Sequence, residues 1–315
     1  MNSDFKGNAR TVRVRVPATI GNLGPGFDVL GLALEMHSEY EIIMEGILPE
    51  NHTEYEFFEK GAKEPSRGAN IIEAAMVKVF REYGKFPEKC AVTSDNKIPL
   101  SRGLGSSAAA RVAGIMAANR FFGGTLSKEK MFQAASVLEG HPDNAAPAFY
   151  GGVVVSAMYE DACYALKISG GKGLKVVVNI PEAEVLTEKA RKVFKPQVPR
   201  AEACGNLTNL SASFIAWYKG EYGLLGKSTV DYLHQPYRAK LVPGMENVFK
   251  AALESGAYGA VLSGSGPSIA ALCPDDNSVC RSVGRAMAEA REKGRKKIKS
   301  YSKISAISEK GAEIY

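Results

Sequence analysis

The run Pro99-Leu100-Ser101-Arg102-Gly103-Leu104-Gly105-Ser106-Ser107-Ala108-Ala109 holds the groups in this chain best suited to chemistry. Two glycines flank one leucine, two serines follow at once, and a small-residue helix pattern opens at Ala108. A glycine-rich turn feeding a helix N-terminus aims several unpaired backbone N–H groups at one point, where the helix dipole adds partial positive charge. The Ser106 and Ser107 hydroxyls can cap the helix, bind phosphate oxygens or reach a metal ion. The fitting ligand is a polyphosphate. The competing reading is a plain turn before a buried helix. A Walker loop is excluded, because the first cation after the serines is Arg111. A dinucleotide fingerprint is excluded too, since no acidic residue follows at the ribose distance.

Four further segments carry polar groups on glycine-rich or short patterns. Pro17 to Asp28 sets Gly21, Gly24 and Gly26 in a loop with Asn22 and Asp28; such a loop approaches a ligand closely or is a structural Ω-loop. Leu138 to Pro147 ends one helix at Glu139 and opens the next segment with His141, Asp143 and Asn144. Carboxylates and a serine hydroxyl are hard oxygen donors suited to magnesium, although helix capping explains the His-x-Asp-Asn cluster as well. Thr187 and Arg191 share one short pattern and Arg238 closes another. On spacing alone both arginines read as ordinary surface residues, yet the guanidinium fork suits a carboxylate. Gly259 to Ser268 reads as a glycine-rich hairpin that either presses on a cleft or only turns.

The string Pro-x-x-x-Gly-Leu-Gly-Ser-Ser-Ala from Pro99 to Ala108 resembles the central phosphate-binding motif of the GHMP kinases (galacto-, homoserine, mevalonate and phosphomevalonate kinases). Asn-Leu-Gly-x-Gly-Phe-Asp from Asn22 and Glu-Gly-His-Pro-Asp-Asn-x-x-Pro from Glu139 resemble the branch of that family that acts on homoserine. The hairpin resembles the third family motif, and the likeness runs from Val12 to about Cys273. It implies an α+β architecture with a first part like a ribosomal-protein domain and a second, ferredoxin-like part. It also implies ATP-dependent phosphorylation of L-homoserine to O-phospho-L-homoserine, on the way to threonine.

By that resemblance the backbone from Pro99 to Ala109 cradles the phosphates, Asn70 faces the adenine, and Ser107 with Glu139 holds magnesium. Arg191 and Arg238 hold the substrate carboxylate, with Asn22, Asp28, His141, Asp143 and Thr187 around the amino acid and Asn144 near the reacting hydroxyl. Relatives with a clear catalytic base pair an Asp with a Lys in the first motif, and this chain has no Lys there. Other acceptors of the family, mevalonate or shikimate, are the nearest alternative. They are disfavoured because mevalonate has no amine to match Asp28. A non-catalytic ligand sensor is disfavoured by intact Ser107 and Glu139.

Composition bounds these readings. At 315 residues, 45% hydrophobic and 23% charged, the chain suits an ordinary globular protein with two cores. We expect units at 1–170 and 171–315, parted near Gly170, Gly171 and Gly173. No apolar run reaches the roughly 18 residues of a membrane span, and Met1 to Lys6 lacks an apolar signal core, so a cytoplasmic location is expected. Five cysteines without a Cys-x-x-Cys pair read as free thiols. The net charge of +6 sits from Arg281 onward, where ten Lys or Arg face four Asp or Glu. The body is therefore neutral and the basic run lacks interleaved aromatics, which argues for a solvated helix face and strand edge and against nucleic acid. The motifs leave the oligomeric state open, a homodimer being one option.

The elements that must position these groups follow from pattern. Strands are expected over Thr11 to Val16, Glu39 to Met44, Cys90 to Ser94, Gly151 to Ser156, Lys175 to Ile180 and Lys299 to Ile307, with a hairpin of Ala257 to Leu262 and Ser268 to Leu272. Helices are expected over Asn70 to Tyr83, Ala108 to Phe122, Lys128 to Glu139, Leu186 to Val193, Asn209 to Tyr218, Leu224 to Ser228, Met245 to Glu254 and Asn277 to Lys293. Asn51 to Lys63 reads as a surface excursion. The mixing of strands and helices without strict alternation is the α+β pattern.

Overall fold

A computed structural model describes residues 9–65, 70–160, 162–168, 171–294 and 297–315. Met1 to Lys6, Gly170 and the pair Arg295 and Lys296 of the basic run lie outside the described residues. The Val–Arg alternation forms β1 (Arg10–Gly21), in which Val12, Val14 and Val16 are buried and the arginines between them are exposed. β1 pairs antiparallel with β2 (Leu30–Glu45), and its register shifts between Pro17 and Ala18. The stretch read as a surface excursion contains β3 (Glu54–Glu59). After α1 (Ile71–Tyr83), this strand lies parallel to β4 (Lys89–Asp95), with Phe57 turned inward.

α2 (Ser106–Phe121) starts two residues earlier than its alanine pattern suggested, so both serines belong to its first turn. It is followed by α3 (Lys128–Glu139), capped by Ser127, and by α4 (Ala145–Tyr150), a short helix the pattern did not reveal. β5 (Val153–Met158) pairs with β2 and with β6 (Cys163–Ile168), which occupies ground read as linker. The first sheet thus runs β3-β4-β2-β1, with β5 and β6 continuing from β2. α1 to α4 pack on it around Ile72, Phe80, Val112, Phe132 and Phe149.

The second sheet begins with β7 (Leu174–Pro181). Five helices follow: α5 (Thr187–Arg191), α6 (Arg200–Lys219), α7 (Leu225–Ser228), α8 (Gln235–Arg238) and α9 (Met245–Glu254). The hairpin is β8 (Gly259–Leu262) and β9 (Ile269–Pro274); α10 (Asn277–Glu292) and β10 (Ser300–Ala306) complete the order β10-β7-β9-β8. Its core lies under α9 and α10, where Val177, Met245, Val248, Ala271, Val283 and Met287 meet. The chain then returns to the first sheet through β11 (Glu313–Ile314), which pairs with β1. Arg291 departs from the solvated-face reading: it is buried, with Nε donating to Asn179 Oδ1 (2.7 Å) and Nη2 to the Pro267 carbonyl (3.1 Å).

Candidate active site

The loop after β1, the loop before α2, the α3–α4 junction, the β8–β9 hairpin, α5 and α8 converge on one cleft of about 480 Å³. The loop before α2 is tied from several sides. Leu104 O accepts Thr19 N–H (3.1 Å), and Gly103 O accepts the Ser263 hydroxyl (2.6 Å). Gly105 has φ +70°, and a Cβ there would stand 1.9 Å from Thr19 Oγ1. Only glycine lets the turn pack this closely while sending the chain into α2. α2 has no side-chain cap, so its first N–H groups open toward the cleft.

Ser107 Oγ and Glu139 Oε2 lie 3.2 Å apart across the α2–α3 contact. Arg111, one turn beyond Ser107, places Nη1 against both oxygens. A cation thus already sits on the two hard donors that the motif assigns to a metal. That donor set fits a small divalent ion, which would have to displace the guanidinium.

At the α3–α4 junction, His141 Nδ1 lies 2.5 Å from Asp143 Oδ1, and both side chains are buried. Burial pushes the Asp143 carboxyl up, but the charge and hydrogen bond of His141, the charge of Arg191 and the amide of Asn144 together bring it below the usual carboxylate value. Burial pushes His141 down, and the charge and hydrogen bond of Asp143 more than reverse this, so its pKa lies above the usual imidazole value. His141 lines the cleft, and its Nε2 is buried with no partner among the described residues. Asn144 Oδ1 accepts the hydroxyl of Thr19 (2.9 Å). Gly21 is required beside them, because a Cβ there would meet Asp143 Oδ2 at 2.1 Å.

Arg191 and Asp28 pair directly, Nη1 to Oδ2 at 3.1 Å and Nη2 to Oδ1 at 2.6 Å. Arg238 is different. It is 2% exposed and has no carboxylate within ion-pair distance among the described residues. Its Nε donates to Ala190 O (3.3 Å), and Nη1 donates to Gly264 O (3.0 Å) and His234 Nδ1 (3.1 Å). Burial, then the charge of Arg191, lowers its pKa to about 10. Asp231 accepts three backbone N–H groups at the start of α8, and Gln235 Oε1 accepts Leu262 N–H, which fixes the helix that carries Arg238. Thr187 Oγ1 lies 3.3 Å from Ser265 Oγ. Asn22 braces the loop: Oδ1 accepts Asp28 N–H (3.0 Å) and Nδ2 donates to Gly264 O (3.1 Å).

At the other end Asn70 caps α1, with Oδ1 accepting Ile72 N–H (2.8 Å). Beside it Tyr40, Glu59, Ser94 and Asn96 line the wall, and Asn96 Nδ2 bonds the Glu59 carboxylate. Sequence reading missed these four and also Ser265 and Thr19, because their place is set by strand register and hairpin packing. Leu100, Ser101, Gly103, Gly105, Ser106 and Ser107 line the cleft with Asn22, Asp28, Asn70, Glu139, His141, Asp143, Asn144, Thr187, Arg191 and Arg238. Pro99, Arg102, Leu104, Ala108 and Ala109 do not. Arg102 turns away to Pro181 O, Glu182 O and Glu184, while Leu104, Ala108 and Ala109 are core residues. Asp28, His141 and Asp143 also form a possible metal cluster, but Asp28 is committed to Arg191, and Arg238 stands nearby as a second positive charge.

The family model of the GHMP kinases N terminal domain matches residues 70–152, and that of the GHMP kinases C terminal part matches residues 215–293. A homoserine kinase from Carboxydothermus hydrogenoformans is 42% identical over 86% of this chain and 88% of its own length. One from Moorella thermoacetica is 41% identical over 88% and 91%. The crystal structure of homoserine kinase from Cytophaga hutchinsonii superposes with a TM-score of 0.84 at 28% identity, covering 100% of both chains. Mevalonate diphosphate decarboxylase from Staphylococcus aureus, at 17% identity and a TM-score of 0.70, shares the fold alone. With matches on both flanks of the cleft, the chain belongs to the GHMP kinases, in the branch that holds the homoserine kinases.

Proposed function

We propose that this chain transfers the γ-phosphoryl group of ATP to the hydroxyl of L-homoserine with Mg2+ as the divalent metal. The carrying observation is Arg238, a buried cation without an ion-pair partner among the described residues, opposite an anion-cradling helix start in the same cleft. A buried unpaired charge is costly unless a ligand answers it. The acceptor is zwitterionic, so its carboxylate goes to Arg238 and Arg191, and its ammonium goes to Asp28. The bidentate Arg191–Asp28 bond keeps both groups oriented before substrate arrives. Asn22 and Thr187 shape the rim.

Leu100, Ser101, Gly103, Gly105, Ser106 and Ser107 cradle the phosphates, Asn70 faces the adenine, and Ser107 with Glu139 would hold the metal, which would supply charge neutralisation on the phosphates. The remaining work is positioning. The hydroxyl oxygen attacks the γ-phosphorus, the bond to the ADP oxygen breaks, and the hydroxyl proton passes late to an oxygen of the transferred phosphoryl group and from there to solvent. Asn144 and the unpartnered Nε2 of His141 orient the attacking oxygen. We assign residues 1–170 to a unit that holds the nucleotide and part of the acceptor site, with Asp28, His141 and Asp143, and 171–315 to one that completes the acceptor site with Thr187, Arg191 and Arg238. All five cysteines stand as free thiols, in keeping with the cytoplasmic location we assign. No helix among the described residues is long and apolar enough to cross a membrane.

The test is a panel of acceptors with ATP and magnesium, read by ADP release. Homoserine should exceed mevalonate, shikimate and galactose in kcat/KM by at least tenfold, about 1.4 kcal/mol of transition-state binding. Equal turnover of an acceptor without an amine would refute the reading.

A second expectation concerns the proton. Asp143 sits below the usual carboxylate range and is already bonded to His141 and Asn144, so it is a poor base. A loose transition state does not need a strong one. Asp143→Asn should keep kcat within about tenfold of the parent, with the larger change in the KM for homoserine. Normal homoserine binding with kcat down by several orders of magnitude would make Asp143 the base.

A further inference from the structure

Three rings surround the arginine pair without lining the cleft: Phe27, Phe194 and His234. Arg191 Cζ lies 5.5 Å and Arg238 Cζ 5.4 Å from the centroid of Phe27. Arg238 Cζ is also 4.9 Å from the centroid of Phe194, which meets Phe27 edge-on at 5.2 Å and 79°. His234 stacks on Phe27 at 5.3 Å and 22°. Its Nε2–H donates to Gly24 O (2.8 Å), so Nδ1 is the acceptor that holds Arg238 Nη1–H.

This arrangement answers a physical difficulty. Two guanidiniums share one pocket, and the one nearer the interior has no carboxylate of its own among the described residues. Asp28 holds Arg191 in place, so the charge of Arg191 works against the hydrogen bonds that seat the buried Arg238. An aromatic face carries negative charge density and attracts a cation most strongly where water is excluded. One ring under both guanidiniums and a second against Arg238 therefore offset the repulsion and restrict the rotamers. Preorganisation of this kind raises affinity by lowering the ordering cost of binding.

We propose that Phe27 and Phe194 are positioning residues for acceptor selection: their π faces hold Arg238, and Phe27 also Arg191, in the geometry that receives the acceptor's carboxylate. The proposal rests on the reading of the arginine pair as a carboxylate clamp. Phe27 belongs to the glycine-rich loop that also presents Asp28. That loop therefore supplies a carboxylate for the ammonium and a π face for the cations that take the carboxylate.

The experiment compares L-homoserine with 3-amino-1-propanol, the same molecule with hydrogen in place of the carboxylate, as acceptor or as competitive inhibitor. The variants are Phe27→Leu, Phe27→Tyr and Phe194→Leu. Phe27→Leu should lower the preference for homoserine about tenfold, within the range of desolvated cation–π contacts. The loss should fall on the homoserine KM, with the KM for ATP and the affinity for 3-amino-1-propanol unchanged. Phe27→Tyr keeps a π face and should keep the preference. Phe194 is half-buried, and its replacement tests the same point if Phe27→Leu does not fold; it should lower the preference by less. Equal loss on both compounds, or an unchanged preference in both leucine variants, overturns the proposal. A parent enzyme that does not prefer the carboxylate-bearing compound overturns the clamp itself, and the positioning role with it.

Discussion

Glu139→Gln is expected to lower kcat by at least about 100-fold at saturating ATP and homoserine, with the fold intact and the magnesium requirement raised. Metal sites commonly contribute several kcal/mol of charge stabilisation, and about 1.4 kcal/mol is one decade in rate. Glu139 ends α3, and its Oε2 meets Ser107 Oγ and Arg111 Nη1. Its role is electrostatic, since it lies at the cleft wall and outside the apolar cores. Glutamine keeps the shape but leaves only a neutral oxygen for the metal. It also leaves Arg111 without its counter-charge, so the guanidinium no longer competes as strongly for the site. Circular dichroism and the melting temperature report the fold, and a magnesium titration of the rate reports the ligand. A near-normal kcat with unchanged magnesium dependence would remove Glu139 from the metal site.

Arg111 illustrates what a sequence can and cannot disclose. It stands four residues beyond Ser107, and helical spacing alone puts the two on one face. What the spacing does not contain is Glu139, brought in by the packing of α3 on α2. The same division runs through the fold. Elements with strong local signals were legible: the Val–Arg alternation of β1, and α3 and α9, whose bounds agree to the residue. β3 was missed because only Phe57 is deeply buried in it, and its parallel partner lies some thirty residues away across α1. β6 buries only Ile168 fully, and α4 is six residues long with Pro147 inside, so neither carries a clear period. Within the site, motif residues were legible because their types and order are particular. Glu59, Asn96, Thr19 and Ser265 join through register and loop packing, which no local pattern encodes.

Arg238→Met is expected to raise the KM for homoserine about 30- to 150-fold while changing the KM for ATP far less. Loss of a charge-assisted hydrogen bond from the free Nη2 to a carboxylate, together with the charge behind it, corresponds to about 2–3 kcal/mol, and each 1.4 kcal/mol is roughly tenfold in affinity. Lysine should not rescue the loss, because a single ammonium cannot keep the bonds to Ala190 O, Gly264 O and His234 Nδ1 and still reach the substrate. The effect on stability should run differently. Arg238 is 2% exposed, and burial followed by the charge of Arg191 brings its pKa to about 10, the mark of a cation kept in place against its solvation. Replacing a buried charge that Asp28, Asp143 and Asp231 only partly offset by an apolar side chain of similar length relieves part of that penalty. Against this, His234 Nδ1 and Ala190 O lose a donor, whereas Gly264 O keeps the Asn22 amide. The two terms offset, so the melting temperature should move little or rise while homoserine binding collapses. A residue that destabilises the empty protein yet is needed for one substrate is held there for that substrate. Comparable rises in both KM values together with a large fall in melting temperature would instead make Arg238 a structural brace between α8 and the β8–β9 hairpin.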